Sequence, residues 1–201
     1  MTEQGVLIDV PPHAGNDDEN WRFTSPEADL WLRSIAGVDK WDLDPFACHE
    51  AHLAERYYTL ERGEDGYTLP WFGAVGYNPP WDNIEPAVAR SWSAETWANH
   101  AVDDKGAYKV ISDRPAVRVI AALLPLRTHM GWWKKWVAPY RDQCGECGTF
   151  SVPDIAGGFR VRLEMHEAPK RFAYGGPGNP RAIGVAEPNF QSVGLVWRAT
   201  W

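Results

Sequence analysis

The sequence predicts an α/β fold, an open sheet with flanking helices, on three observations. Residues 116–124 are a run rich in Val, Ile, Ala and Leu that is stopped by Pro125, the pattern of a strand buried on both faces. It should be central in the sheet. Residues 71–77 read as a second strand, which delivers the loop Asn78-Pro79-Pro80-Trp81 and is followed by a helix over residues 84–92. Finally, Trp41-Asp42-Leu43 is a short strand leading into Asp44-Pro45-Phe46-Ala47, after which residues 49–57 read as helical. A strand, a tight turn and a helix in that order form the ligand-binding arrangement of open α/β sheets.

The remaining elements follow in chain order. Residues 1–20, with Pro11-Pro12 and the acidic Asp17-Asp18-Glu19, lack periodicity and read as a flexible acidic tail. Residues 21–201 are then one domain, since 201 residues support one sizeable core and are short for two. Thr24-Ser25-Pro26-Glu27 is a helix start, with a hydroxyl at the cap and Pro in the first turn. Leu30, Trp31 and Ile35 follow at helical spacing, and Gly37 ends the helix. Residues 63–70 read as a loop. Residues 93–115 turn polar without a sustained period, which predicts an insertion and a candidate substrate-facing lobe. Residues 130–137 predict a short helix, 159–163 and 193–197 strands, and 175–180 a Gly/Pro loop.

Composition narrows the function classes. At 44% hydrophobic, and with no apolar run near the length of a membrane span, the chain is expected to be soluble. Its first twenty residues have neither a basic start nor a long apolar segment, so a cytoplasmic setting without membrane contact is expected. Net charge is −7, but it is unevenly placed. Residues 1–20 carry five acids and no Lys or Arg; residues 21–113 carry 8 basic and 16 acidic residues; residues 114–201 carry 12 and 6. A phosphate-contacting surface would therefore come from Arg114 onward. The three cysteines, Cys48, Cys144 and Cys147, argue against a disulfide framework. Cys144 and Cys147 have the spacing of half a zinc site, no second pair exists, and no metal is assigned. Of the twelve tryptophans, Trp41, Trp71, Trp136 and Trp197 read as packing residues. Trp81 and Trp132-Trp133 follow motif-like loops, and Trp81 alone is assigned a role at a site.

The loop Asn78-Pro79-Pro80-Trp81 carries the chemistry. Two consecutive prolines fix φ and remove two backbone donors, leaving a rigid, extended stretch whose carbonyls act only as acceptors. Such a loop suits an exocyclic amine. The amino group of adenine is a poor nucleophile because its lone pair is delocalised into the ring, and acceptors for both N–H bonds let it gain sp3 character. The Asn78 amide oxygen and the Pro79 carbonyl are the expected acceptors, and Trp81 offers a flat face for an extruded base.

A second motif lies upstream. Asp44-Pro45-Phe46-Ala47 resembles the opening of the Asp-Pro-Phe-x-Gly-x-Gly motif of amino-methyltransferases, with Cys48 and Glu50 where the glycines would fall. With Phe23-Thr24-Ser25-Pro26, Arg56-Tyr57-Tyr58, Asp65-Gly66, Asn78-Pro79-Pro80-Trp81 and Leu124-Pro125-Leu126-Arg127-Thr128 in the same order, the chain resembles the phage-type DNA N-6-adenine methyltransferase family over roughly residues 21–140. The resemblance implies a Rossmann-like S-adenosylmethionine-dependent fold, transfer of a methyl group to a flipped adenine in DNA, and a phage or prophage source. It makes Asn78, Pro79, Pro80 and Trp81 the amine-binding loop. It places Asp44, Pro45, Phe46, Ala47, Thr24, Ser25, Pro26 and Asp65 at the cofactor, where a tight turn and a helix start would offer backbone N–H groups to the methionine carboxylate. Two alternatives remain: methylation of another amine, such as a glutamine side chain or an RNA base, and a catalytically silent binding protein of the same fold.

Overall fold

The computed structural model describes residues 24–49, 52–81, 83–97, 99–102, 108–112, 117–140, 147–151, 160–170 and 191–200. The tail expected over residues 1–20 and the loop expected over 175–180 lie outside the described residues. In chain order the elements are α1 (Pro26–Ala36), β1 (Gly73–Tyr77), α2 (Ile84–Trp92), α3 (Ala94–Trp97), β2 (Asn99–Val102), β3 (Tyr108–Ser112), β4 (Val117–Pro125), α4 (Gly131–Trp136), β5 (Cys147–Ser151), β6 (Arg160–Glu167) and β7 (Ser192–Thr200).

Local signals set α1. The Ser25 hydroxyl accepts from the Ala28 N–H at 3.2 Å, Pro26 opens the first turn, and Gly37 closes the helix at φ 65°, a left-handed conformation that glycine adopts without penalty. The face turned to the sheet is Ala28, Leu32 and Ala36, all fully buried, whereas Leu30 of the expected stripe is 62% exposed. Trp31 and Ile35 lie over Gly194 of β7, where a side chain would collide with both. Arg198 of β7 donates to the Ile35 and Ala36 carbonyls at 2.8 and 2.9 Å, so the sheet itself caps the end of α1.

The five-stranded sheet has the order β1-β4-β7-β6-β5. β1 and β4 are parallel, while β7 runs against both β4 and β6, and β5 runs against β6. Beyond β1, among the described residues, the sheet continues as isolated parallel bridges: Leu43 with Val75, Asp44 with Tyr57, and Trp41 with Ala54. The α/β class is as expected, but the sheet is mixed and is not a full Rossmann sheet. The helix expected over residues 49–57 does not form among the described residues. The Asp44 carboxylate instead accepts the N–H groups of Phe46 and Leu53 at 3.1 and 3.0 Å and curls the loop around itself.

Both faces of the sheet are covered. Ala74, Val119, Ala121, Leu123 and Val196 pack with α1, whereas Val75, Tyr77, Ile120, Ala122, Leu124, Leu195 and Trp197 pack with Trp92 of α2 and with Trp132 and Trp133 of α4. This two-sided burial explains why β4 reads as an unbroken apolar run. Trp132 and Trp133 are thus core residues and do not face a ligand. Close approach is decisive at Gly76, where a Cβ would enter the Trp41 indole. Gly76→Ala is expected to lower stability by about 1–3 kcal/mol through overpacking, read as a fall in Tm. An unchanged Tm would mean that the indole moves aside freely.

The predicted insertion holds α3 and a separate two-stranded sheet of β2 and β3. It lies in the chain between the end of α2 and the start of β4, and Val117 at that start pairs with Gly73 at the start of β1. The insertion therefore joins the sheet at the edge opposite the Asn78 loop, about 16 Å away along five strand residues.

Candidate active site

The two sequence motifs meet at a reversal of strand order. From Asp44 the chain passes outward to Tyr57 on one side, whereas β1 is followed in the sheet by β4 on the other. The end of β1 and the end of the bridged segment 41–44 thus lie side by side at a reversal of order, the usual ligand position in open α/β sheets. Asp44-Pro45-Phe46-Ala47 and Asn78-Pro79-Pro80-Trp81 both stand there.

Asn78 is held at both ends of its amide. Its Nδ2 donates to the Thr24 Oγ1 at 3.2 Å, and its Oδ1 accepts from the Trp81 Nε1 at 3.1 Å. Pro79 is buried, and the Pro80 carbonyl accepts the Asn83 N–H at 3.0 Å, closing the turn that leads into α2. Trp81 is half-buried against the core, so its ring supports the loop. Behind the loop, the buried Tyr77 hydroxyl lies 2.8 Å from the Ser91 hydroxyl and donates to the Ala87 carbonyl at 3.3 Å. Burial pushes its phenol far above the ordinary range, which removes it as a base.

The Asp44 segment departs from expectation in its hydrogen bonding. The Phe46 N–H is taken by Asp44, and the Ala47 N–H donates to the Tyr58 carbonyl at 3.2 Å. Two donors expected to meet a cofactor carboxylate are thus committed within the protein. Asp44 itself is 4% exposed, and burial pushes its carboxyl up to about 7 against the opposing pull of the Leu53 and Phe46 N–H groups. Pro45 is buried, and its carbonyl lies so close to Gly66 that no other residue fits there.

Aromatic packing joins the two motifs. The half-buried Phe46 ring lies 4.6 Å from Tyr67, 5.3 Å from Tyr77 and 5.8 Å from Trp71. Asp65 serves this group indirectly: its carboxylate accepts the Tyr67 N–H at 2.9 Å, and the Tyr67 hydroxyl donates to the Asn83 carbonyl at 3.2 Å, beyond Trp81. Asp65 therefore caps the turn that presents Tyr67. Arg90 of α2 anchors the same loop by donating to the Leu69 carbonyl at 3.2 Å. Sequence reasoning missed Tyr67 and Arg90. The only available hint was Asp65-Gly66, since the tight turn and close approach at Gly66 set where Tyr67 falls.

The tripeptide ahead of α1 divides in function. Thr24 reaches Asn78, Ser25 caps the helix, and Pro26 is exposed in its first turn. As for the cofactor, Phe46 and Tyr67 pack on each other and on the core beside the Asp44 turn, and that turn does not supply the expected donors. Among the described residues no helix is long and apolar enough to cross a membrane, and no three His, Cys, Asp or Glu side chains cluster to hold a metal. Cys147 opens β5, and Cys144 lies outside the described residues. No family model, curated protein or solved structure matches the chain.

Proposed function

We propose that the protein is an S-adenosylmethionine-dependent methyltransferase that acts on the exocyclic amine of adenine in DNA. The observation that carries this reading is the convergence of the Asn78 loop, at the end of β1, and the Asp44 segment, bridged in parallel beside β1, where the order reverses. The mixed sheet, with parallel pairing at this end and helices on both faces, supports a Rossmann-like reading of its first half. When bound, the cofactor supplies an electrophilic methyl group on a sulfonium. The chain's own contribution is placement. Asn78 Oδ1 and the Pro79 carbonyl accept the two amine N–H bonds and stabilise the positive charge that grows on nitrogen during in-line displacement. No strong base is needed, because the amine proton becomes far more acidic after methyl transfer. Phe46 and Tyr67 form the aromatic wall beside the cofactor, and Trp81 offers its exposed part to the base.

Purified protein incubated with S-adenosylmethionine and unmethylated DNA should yield N6-methyl-2′-deoxyadenosine on digestion and mass spectrometry. Cofactor binding without a DNA product would move the reading to another amine, a glutamine side chain or an RNA base. The committed N–H groups of Phe46 and Ala47 favour one second reading, a catalytically silent binding protein. Absence of S-adenosylmethionine binding by calorimetry would decide for it.

A further inference from the structure

We propose that Thr24 is a positioning residue for the Asn78 amide, so that the segment ahead of α1 sets the orientation of the acceptor that meets the amine. The activity part of this proposal rests on the methyl-transfer reading; the hydrogen-bond part does not. An indole N–H can only donate, so the bond from Trp81 requires the oxygen of the Asn78 amide to face Trp81. The amide nitrogen then faces Thr24, whose hydroxyl oxygen accepts. The two partners differ in origin: Trp81 is three residues along the same loop, whereas Thr24 is 54 residues away in the chain. Rotation of an asparagine amide about its last torsion is soft and roughly two-fold, and one bond on the oxygen does not arrest it. The bond to Thr24 adds a second, non-local restraint at the other end of the amide. Because Ser25 and Pro26 begin α1 directly after Thr24, docking of α1 on β4 and β7 holds the Thr24 hydroxyl in place. The family resemblance puts Thr24 beside the cofactor, whereas the geometry gives it to Asn78.

Two substitutions in the full chain separate the roles. Thr24→Val keeps the shape and removes the acceptor; Thr24→Ser keeps the acceptor. Thr24→Val is expected to lower kcat about 10- to 100-fold, the cost of a misplaced reacting group, while the Kd for S-adenosylmethionine stays within about twofold and Thr24→Ser restores most of the turnover. A loss that appears in cofactor Kd with kcat intact would overturn the proposal in favour of a cofactor contact. The structural readout is the side-chain amide signal of Asn78 and the indole signal of Trp81 in 1H–15N spectra, assigned with Asn78→Ala and Trp81→Phe. Both signals should shift in Thr24→Val and return in Thr24→Ser; an unmoved Asn78 signal would overturn the proposal. If the unsubstituted protein methylates no DNA, the functional reading fails, and the spectra still decide whether Thr24 orients Asn78.

Discussion

Asn78→Ala is expected to reduce methyl transfer by at least ~10²–10³-fold, the effect of deleting an aligned polar group that meets developing charge. Cofactor affinity should stay within about twofold, because the residue's observed bonds run to Thr24 and Trp81 and not to the Asp44 segment. N6-methyl-2′-deoxyadenosine formed per enzyme, measured by mass spectrometry alongside calorimetric binding, reads both quantities. Activity equal to that of the unsubstituted protein would end the assignment. Asn78→Asp should be intermediate. A carboxylate still accepts from the Trp81 indole and still offers an oxygen to the amine, and the Thr24 hydroxyl can rotate to donate where it now accepts. Acceptor geometry, more than charge, then carries the effect.

The stability gap between the unsubstituted protein and Asp44→Ala is expected to widen as pH falls from 8 to about 4. Burial lifts the folded-state pKa of Asp44 from the ordinary 3.8 to about 7, so the folded state binds the proton more tightly than the unfolded one. The linkage contribution is fully present below about 4 and is lost as pH rises through about 7. Its full size is on the order of 4 kcal/mol. Alanine does not titrate at that position, and all other ionisable groups cancel in the difference. At every pH the variant also loses acceptors for the Phe46 and Leu53 N–H groups, about 1–3 kcal/mol for each if left unpaired. Urea unfolding of both proteins across this range gives the gap directly. A constant gap, or one that widens with rising pH, would show that Asp44 is not held as a buried acid.

The asymmetry between the two motifs follows from how far each can be read. Asn-Pro-Pro-aromatic is stiff by itself, and the structure leaves Asn78 at the end of β1 where that stiffness predicts it. Asp44-Pro45-Phe46-Ala47 is not self-sufficient. Whether its N–H groups are free depends on Tyr58 and on the Asp44 side chain, and Leu53 completes the ring around the acid. The departures at Cys48 and Glu50 marked this segment as unusual. They did not reveal that it would lack a helix.

Several elements were determined by the sequence alone: α1 between Ser25 and Gly37, α2 over Ile84–Trp92, and β4 with its stop at Pro125. A cap, a left-handed glycine and a hydrophobic period act within a few residues, so their energies are set before the chain closes. The antiparallel insertion of β7 between β4 and β6, the pairing of β5, the approach of Gly76 to Trp41 and the bond from Asn78 to Thr24 were decided only by the tertiary structure. Each joins residues far apart in sequence, and each forms because burying both faces of one sheet rewards the whole arrangement and not any local segment of it.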